Sequence, residues 1–200
     1  MFAKQRQYWL AKYPTAPEPL LTPRYRARFP GRLAASGCEA LYLPRAFYQQ
    51  LGELAKRHQA STFHVLLGAL YVYFTRTSGR GEFAVGLPVL NRANASFKQT
   101  AGLFTGVSPT LFDFGQALSF GELLQEINKT LKANYRHQRF PVSEVNRAVS
   151  SGSERSVLFD VCLSYENHDY DAEFSGIGSH TNLFLPVSYT HLTLPTIYSV

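Results

Sequence analysis

The chain has 200 residues, 45% hydrophobic and 14% aromatic, which is enough apolar material for one globular core and excludes a disordered or low-complexity protein. Lys and Arg number 20 against 14 Asp and Glu, a net charge of +6, yet no run of five or six like charges exists, which argues against a nucleic-acid surface. Cys38 and Cys162 form no C-x-x-C pair. There is no N-terminal apolar leader, and no apolar run approaches the ~20 residues of a membrane span. The expectation is a soluble protein of the reducing cytoplasm, without disulfides or a membrane partner.

In chain order, Phe2, Tyr8, Trp9 and Leu10 among Lys4, Gln5, Arg6 and Gln7 predict a short amphipathic helix over 1–10. Pro14, Pro17, Pro19 and Pro23 end it in an extended connector. Arg24, Arg26, Arg28 and Arg32 alternate with Tyr25, Phe29 and Pro30. Such a strand can track a phosphate backbone, or it can be a plain solvated face beside the connector. Cys38–Leu43, CEALYL, predicts a strand. Pro44 opens a helix with Phe47, Leu51, Leu54 and Ala55 on one face. Ser61 or Thr62 caps the next, FHVLLGALYVYFTR, which is apolar nearly all round and is expected to be buried. His64, near its start, has no H-E-x-x-H partner and reads as a capping or core residue. The turn SGRG at 78–81 ends this helix and lacks the spacing of a phosphate loop.

Two apolar runs follow, Phe83–Val89 interrupted by Gly86 and Pro88, and Leu103–Leu111 interrupted by Gly106 and Pro109. Both predict strands. Gly86 and Gly106 mark either bulges or places where a backbone or ligand comes close, lining a cavity. Asp113-Phe114-Gly115 spells a kinase tripeptide without the other kinase motifs and carries no weight. Ser119 and Glu122 form a capping box for a helix through Lys132, with Phe120, Leu123, Leu124, Ile127 and Leu131 at helical spacing. His137 stands near that helix's C-terminus, where the macrodipole favours its charged form, a sufficient structural reason for it. Pro141 starts a short helix through Val149, and Val157–Tyr165 predicts a strand. Asp169, Asp171 and Glu173 lack the Gly and Glu of a calcium loop, so no metal site is expected.

Together these elements predict an α/β fold, a mixed sheet with helices packed on it. The stretch FAVGLPVLNR with AGLFTGVSP resembles the C-terminal lobe of nonribosomal peptide synthetase condensation domains, in the chloramphenicol-acetyltransferase-like superfamily. Gly86, Pro88 and Arg92 match that family's VG-x-P-x-x-x-R strand. Gly102, Phe104 and Pro109 match its (I/V)G-x-F-V-N-T strand, with Thr105, Gly106 and Val107 in place of Val, Asn and Thr. Related epimerization domains share the Phe-Thr pair but carry a His-containing motif where this chain has LPVLNR. His137, Gln138 and Pro141 match (H/N)-Q-D-Y-P-F-E, with Arg139 in place of the acid. Only Arg155, Leu158 and Phe159 survive of R-D-x-S-R-N-P-L-F. A Tyr-Trp pair such as Tyr8-Trp9 stands in the family where the chain crosses between its two lobes.

The resemblance implies a lobe truncated at both ends, with an interlobe helix and connector over 1–23 and the C-terminal lobe over 24–186. It implies amide formation between carrier-tethered aminoacyl and peptidyl thioesters. Gly86, Arg92, Gly102, Phe104 and Gly106 would line the substrate tunnel, and His137, Gln138, Pro141 and Arg155 would be structural. The family's acid–base His lies in an H-H-x-x-x-D-G motif of the first lobe. None of His58, His64, His137, His168, His180 and His191 forms such a pair, so no catalytic residue is expected here. The implied partners are carrier domains, an adjacent adenylation domain and the missing N-terminal lobe. The piece itself would bind no cofactor, its substrates riding on the carriers' phosphopantetheine. A non-catalytic carrier-binding scaffold and a free-standing acyltransferase of the same superfamily are the alternatives. Finally, 187–196, VSYTHLTLPT, resembles the in-frame translation of a sequencing-library adapter, so 187–200 is expected to lie outside the native fold.

Overall fold

The strand Glu82–Val89 (β1) is apolar at nearly every position, the pattern of a strand covered on both faces. In the computed structural model, which describes residues 2–21, 39–92, 95–115, 117–150 and 158–166, β1 lies between two helical layers. It pairs antiparallel with Gly106–Asp113 (β2), Phe83 opposite Phe112 and Gly86 opposite Pro109. On its other edge, Gly86 N–H donates to Val161 O at 2.8 Å and Gly86 O accepts from Leu163 N–H at 2.9 Å, a parallel bridge to Cys162. The sheet is therefore mixed.

Six helices accompany it among the described residues: Ala3–Lys12 (α1), Arg45–Arg57 (α2), Thr62–Ser78 (α3), Ala95–Gln99 (α4), Phe120–Arg136 (α5) and Val142–Ser150 (α6). Phe83, Val85, Leu87 and Phe112 face α3 and α5, meeting Leu67, Leu70, Tyr71, Phe74, Leu123, Ile127 and Leu131 in the main core. Ala84 and Leu111 face the opposite layer, Trp9 of α1 and Tyr13 just after it with Phe140, Val145 and Leu158. Alternation along each strand thus gives each layer its own residues.

Helix α5 is stopped and started by local chemistry. Ser119 N–H donates to Glu122 Oε2 at 2.8 Å while Glu122 N–H reaches Ser119 Oγ at 3.4 Å, the reciprocal box expected. The helix runs one turn beyond Lys132. Helix α3 is capped by Ser61, as anticipated, but it is not buried all round. Val65, Leu67, Leu70, Tyr71 and Phe74 face inward while Tyr73 is 60% exposed.

Three strand expectations need correction. Glu39–Leu43 makes no ladder among the described residues, and Leu41 and Tyr42 are exposed. β-Propensity without a pairing partner leaves only extended chain. The second strand begins at Gly106, not Leu103, because Leu103–Thr105 belong to a loop closed by Arg92. Of the segment expected over Val157–Tyr165, Val157 lies outside the described residues, and 158–165 contributes among them a single bridge at Cys162 rather than a strand of full length. The Pro-rich connector is docked as far as Leu21. Glu18 pairs with Arg80 at 2.9 Å, and the Leu20 and Leu21 N–H groups donate to the Asp160 carboxylate at 3.2 and 2.7 Å. Arg24–Arg32, Arg155, Asp169–Glu173 and the 187–200 tail lie outside the described residues.

Candidate functional site

Gly86, Arg92, Gly102, Phe104 and Gly106 all fall on β1, β2 or the connection between them, yet the structure gathers only four. Arg92 follows β1 and turns back across the loop. Its Nη1 donates to Phe97 O and, at 2.7 Å, to Thr100 O, and its Nη2 donates to Gly102 O at 3.0 Å. Phe97 lies in the single turn of α4 and Thr100 just past its end, so the guanidinium binds carbonyls at the helix C-terminus, Phe97 O also receiving Thr100 N–H at 3.4 Å. The same group lies over the Phe104 ring, 4.4 Å from its centroid. Asn91 Nδ2 adds a bond to Phe104 O at 3.0 Å, beside the start of β2 at Gly106. Gly102 has φ +149, and a Cβ there would stand 3.3 Å from the Phe104 ring. The loop presents Leu103, 93% exposed, and Leu90, 69% exposed, to its outer side.

Gly86 is elsewhere. It lies three residues inside β1, where a Cβ would come 2.3 Å from Cε2 of Phe159, so its small size serves ring packing against the 158–166 segment. The close approach anticipated for this glycine exists, and what approaches is a side chain.

The second motif forms a turn between α5 and α6. His137 is the C-cap of α5, its N–H bonded to Asn134 O at 2.9 Å. Its ring stacks on Tyr8 with centroids 4.1 Å apart, and its carbonyl accepts from Trp9 Nε1 at 3.0 Å. His137 Nδ1 is buried with no hydrogen-bond partner among the described residues. Gln138 N–H makes a long bond to Tyr135 O, 3.5 Å, and Pro141 O receives Glu144 N–H at 3.0 Å to begin α6. Arg139 lies over Phe97, 5.4 Å from the centroid, so the turn touches the Arg92 loop.

Beneath the turn lies a polar cluster that sequence reading missed. Asn134, 1% exposed, accepts from Tyr8 Oη at 2.7 Å and from Lys12 Nζ at 3.1 Å, and donates through Nδ2 to Thr110 Oγ1 at 3.1 Å. Burial lowers the Lys12 ammonium to about 8 and raises the Tyr8 phenol. No local signal joins residues more than a hundred positions apart. A polar Asn in the buried stripe of α5 was the one clue.

Ser61 Oγ stands 2.6 Å from His64 Nδ1, a distance met in nucleophile–base pairs. Here the same Nδ1 accepts from Ser61 N–H at 3.2 Å, as Glu does in a capping box, so the pair is a helix cap. Burial, with Lys132 nearby, pushes the imidazole below its usual range and keeps it neutral as that acceptor role requires. A groove of about 530 Å³ between the His58–Gln59 turn and α5 is lined by Lys129, Lys132 and Arg136 and by none of the expected tunnel residues. Among the described residues no group of three His, Cys, Asp or Glu is placed to hold a metal ion, and no helix is long and apolar enough to cross a membrane.

A family model described as Condensation domain matches residues 1–191. Surfactin synthase subunit 1 of Bacillus subtilis (strain 168) is 30% identical over 175 residues, covering 86% of this chain and 5% of that protein. Tyrocidine synthase 3 of Brevibacillus parabrevis is 28% identical over 175 residues, covering 83% of this chain and 3% of its own length. The first condensation domain of the CDA synthetase superposes with a TM-score of 0.71 at 19% identity, over 88% of this chain and 37% of that one. The chain thus spans well under half of each relative.

Proposed function

Because this chain belongs to the condensation-domain family, we propose that it supplies the C-terminal lobe of an amide-forming domain in a nonribosomal peptide synthetase. The observation that carries the reading is the family match along almost the whole chain, with both motif clusters of this lobe, around Arg92 and around His137, folded against one another. In the reaction an acceptor amine attacks the carbonyl of a donor thioester. A C–N bond forms, the C–S bond breaks, and the amine's proton leaves as the thiol is released.

Holding the two thioesters within reach supplies much of the rate, and this lobe's part is that geometry. Arg92, Gly102, Phe104 and Gly106 form the ordered end of the β1–β2 hairpin that would face the tunnel. Gly86 contributes to the packing behind it. The acid–base histidine, which typically adds a further ~10²- to 10⁴-fold, belongs on the companion lobe with the H-H-x-x-x-D-G motif. Nothing described here replaces it: His64 is committed to a helix cap and His137 is stacked on Tyr8. Carrier domains bearing phosphopantetheine thioesters would deliver both substrates, with an adenylation domain alongside, in the cytoplasm.

The test is to incubate the purified chain with aminoacyl- and peptidyl-loaded carrier proteins, alone and together with a first lobe that carries the motif. Dipeptide detected by mass spectrometry only in the joined sample is the expected result. Dipeptide from the chain alone, or none from a folded complex of both lobes, would refute the assignment.

A further inference from the structure

At the α5–α6 turn Arg139 stands in place of the first of the family motif's two acids. That guanidinium lies 5.4 Å above the centroid of Phe97. Phe97 packs on Phe104 with centroids 5.7 Å apart, and Phe104 is the ring that Arg92 covers at 4.4 Å. Two residues before Arg139, the His137 ring lies on Tyr8 and the His137 carbonyl holds the Trp9 indole. These contacts run without a gap from α1, through the turn, to the loop that Arg92 closes. A carboxylate at 139 would meet the electron-rich ring face with the wrong sign, whereas a guanidinium is attracted to it.

We propose that Arg139 is a positioning residue that fastens the Arg92 loop to the α5–α6 turn, so that the seating of α1, through Tyr8, on His137 is felt at Phe97 and Phe104. The loop has a cation on each side of one aromatic pair. Arg92 closes it through three carbonyls; Arg139 meets it, among the described residues, at the Phe97 ring face. Packed chains of this kind carry energetic coupling only if each link has a measurable pairwise term, and that is what can be tested. The inference stands on contacts within this lobe and does not depend on the reaction proposed above.

The full 200-residue chain serves for the experiment. Limited chymotrypsin digestion under native conditions, with cuts located at Leu103 and Phe104 by mass spectrometry, reports how often the loop opens. Arg139→Gln and Arg139→Asp should raise cleavage there roughly two- to fivefold, the span of an exposed cation–ring contact, and Arg139→Lys should restore most of the protection. Phe97→Leu should also shift the emission of Trp9, the chain's one tryptophan. Unchanged cleavage in Arg139→Gln, or a Lys variant cut as fast as the Gln variant, would overturn the proposal. A rise in cleavage equal at sites throughout the chain would do the same, because it would report global loss of stability. Trp9 emission indifferent to Phe97→Leu would remove α1 from the relay.

Discussion

Replacing Lys12 by Met tests whether its ammonium is held against its preference. Lys12 bonds Asn134 Oδ1 at 3.1 Å, and its Nζ lies 5.9 Å from the Tyr8 ring centroid. Burial brings its pKa from 10.5 to about 8. The sign follows from proton counting. Between those values the unfolded chain keeps the proton and the folded chain gives it up, so stability rises with pH across the window and is flat below it. From pH 7 to 9.5 the rise is about 2 kcal/mol for the full shift, and about 1 kcal/mol once the solvent that still reaches the group is allowed for. Met at position 12 keeps the packing stem and cannot titrate. The assay is urea unfolding of both proteins at pH 7, 8, 9 and 9.5, short of the range where the raised Tyr8 phenol ionises. The wild type should gain on the variant by about 1 kcal/mol over that span. Parallel curves would show that Lys12 is solvated in the fold, and the reasoning about its burial would fail.

Two further outcomes are expected. Gly86→Ala should destabilise the chain by about 1–3 kcal/mol in denaturant, because the new methyl meets the Phe159 ring at 2.3 Å, and adding Phe159→Leu should recover part of the loss; a variant as stable as wild type would show that the 158–166 segment shifts at no cost. Deleting Val187–Val200 should leave the melting temperature and circular dichroism unchanged, and a fall of several degrees would count against the adapter origin proposed for that tail.

What the sequence disclosed was local. The box at Ser119 and Glu122 and the stripe through Leu131 announced α5, because capping and periodicity are read within a few residues. The two Gly- and Pro-interrupted runs were equally visible as strands, though not that they pair. The loop at Leu103–Thr105 was taken for strand because nothing within it shows that Arg92 binds Gly102 O just before it and that Asn91 Nδ2 binds Phe104 O inside it. CEALYL has strand composition, but a strand is made by its neighbour, and no propensity supplies one. His137 was placed correctly at a helix end. Its partner Tyr8 lies 129 positions away, and the stacking that occupies its ring has no sequence signature. The family resemblance put Gly86, Arg92, Gly102, Phe104 and Gly106 in one set, Gly106 at the place of the family's Asn, and only the fold separates Gly86 from the other four.

The prolines of the hairpin also govern what can be added to it. Gly86 turns both its N–H and its C=O toward Val161 and Leu163, away from β2, so Pro109 opposite it must turn its own backbone away from β1 as well. Its missing N–H therefore falls on the outer edge of β2, in the middle of the row Val107, Pro109, Leu111 and Asp113. Pro88 does the same for β1, two residues beyond the bridge, and there the parallel pairing stops. A foreign strand seeking to extend the sheet along β2 would find an empty donor position at its centre. Pro109 thus withholds one donor from the outer edge of β2, while the inner ladder stays complete.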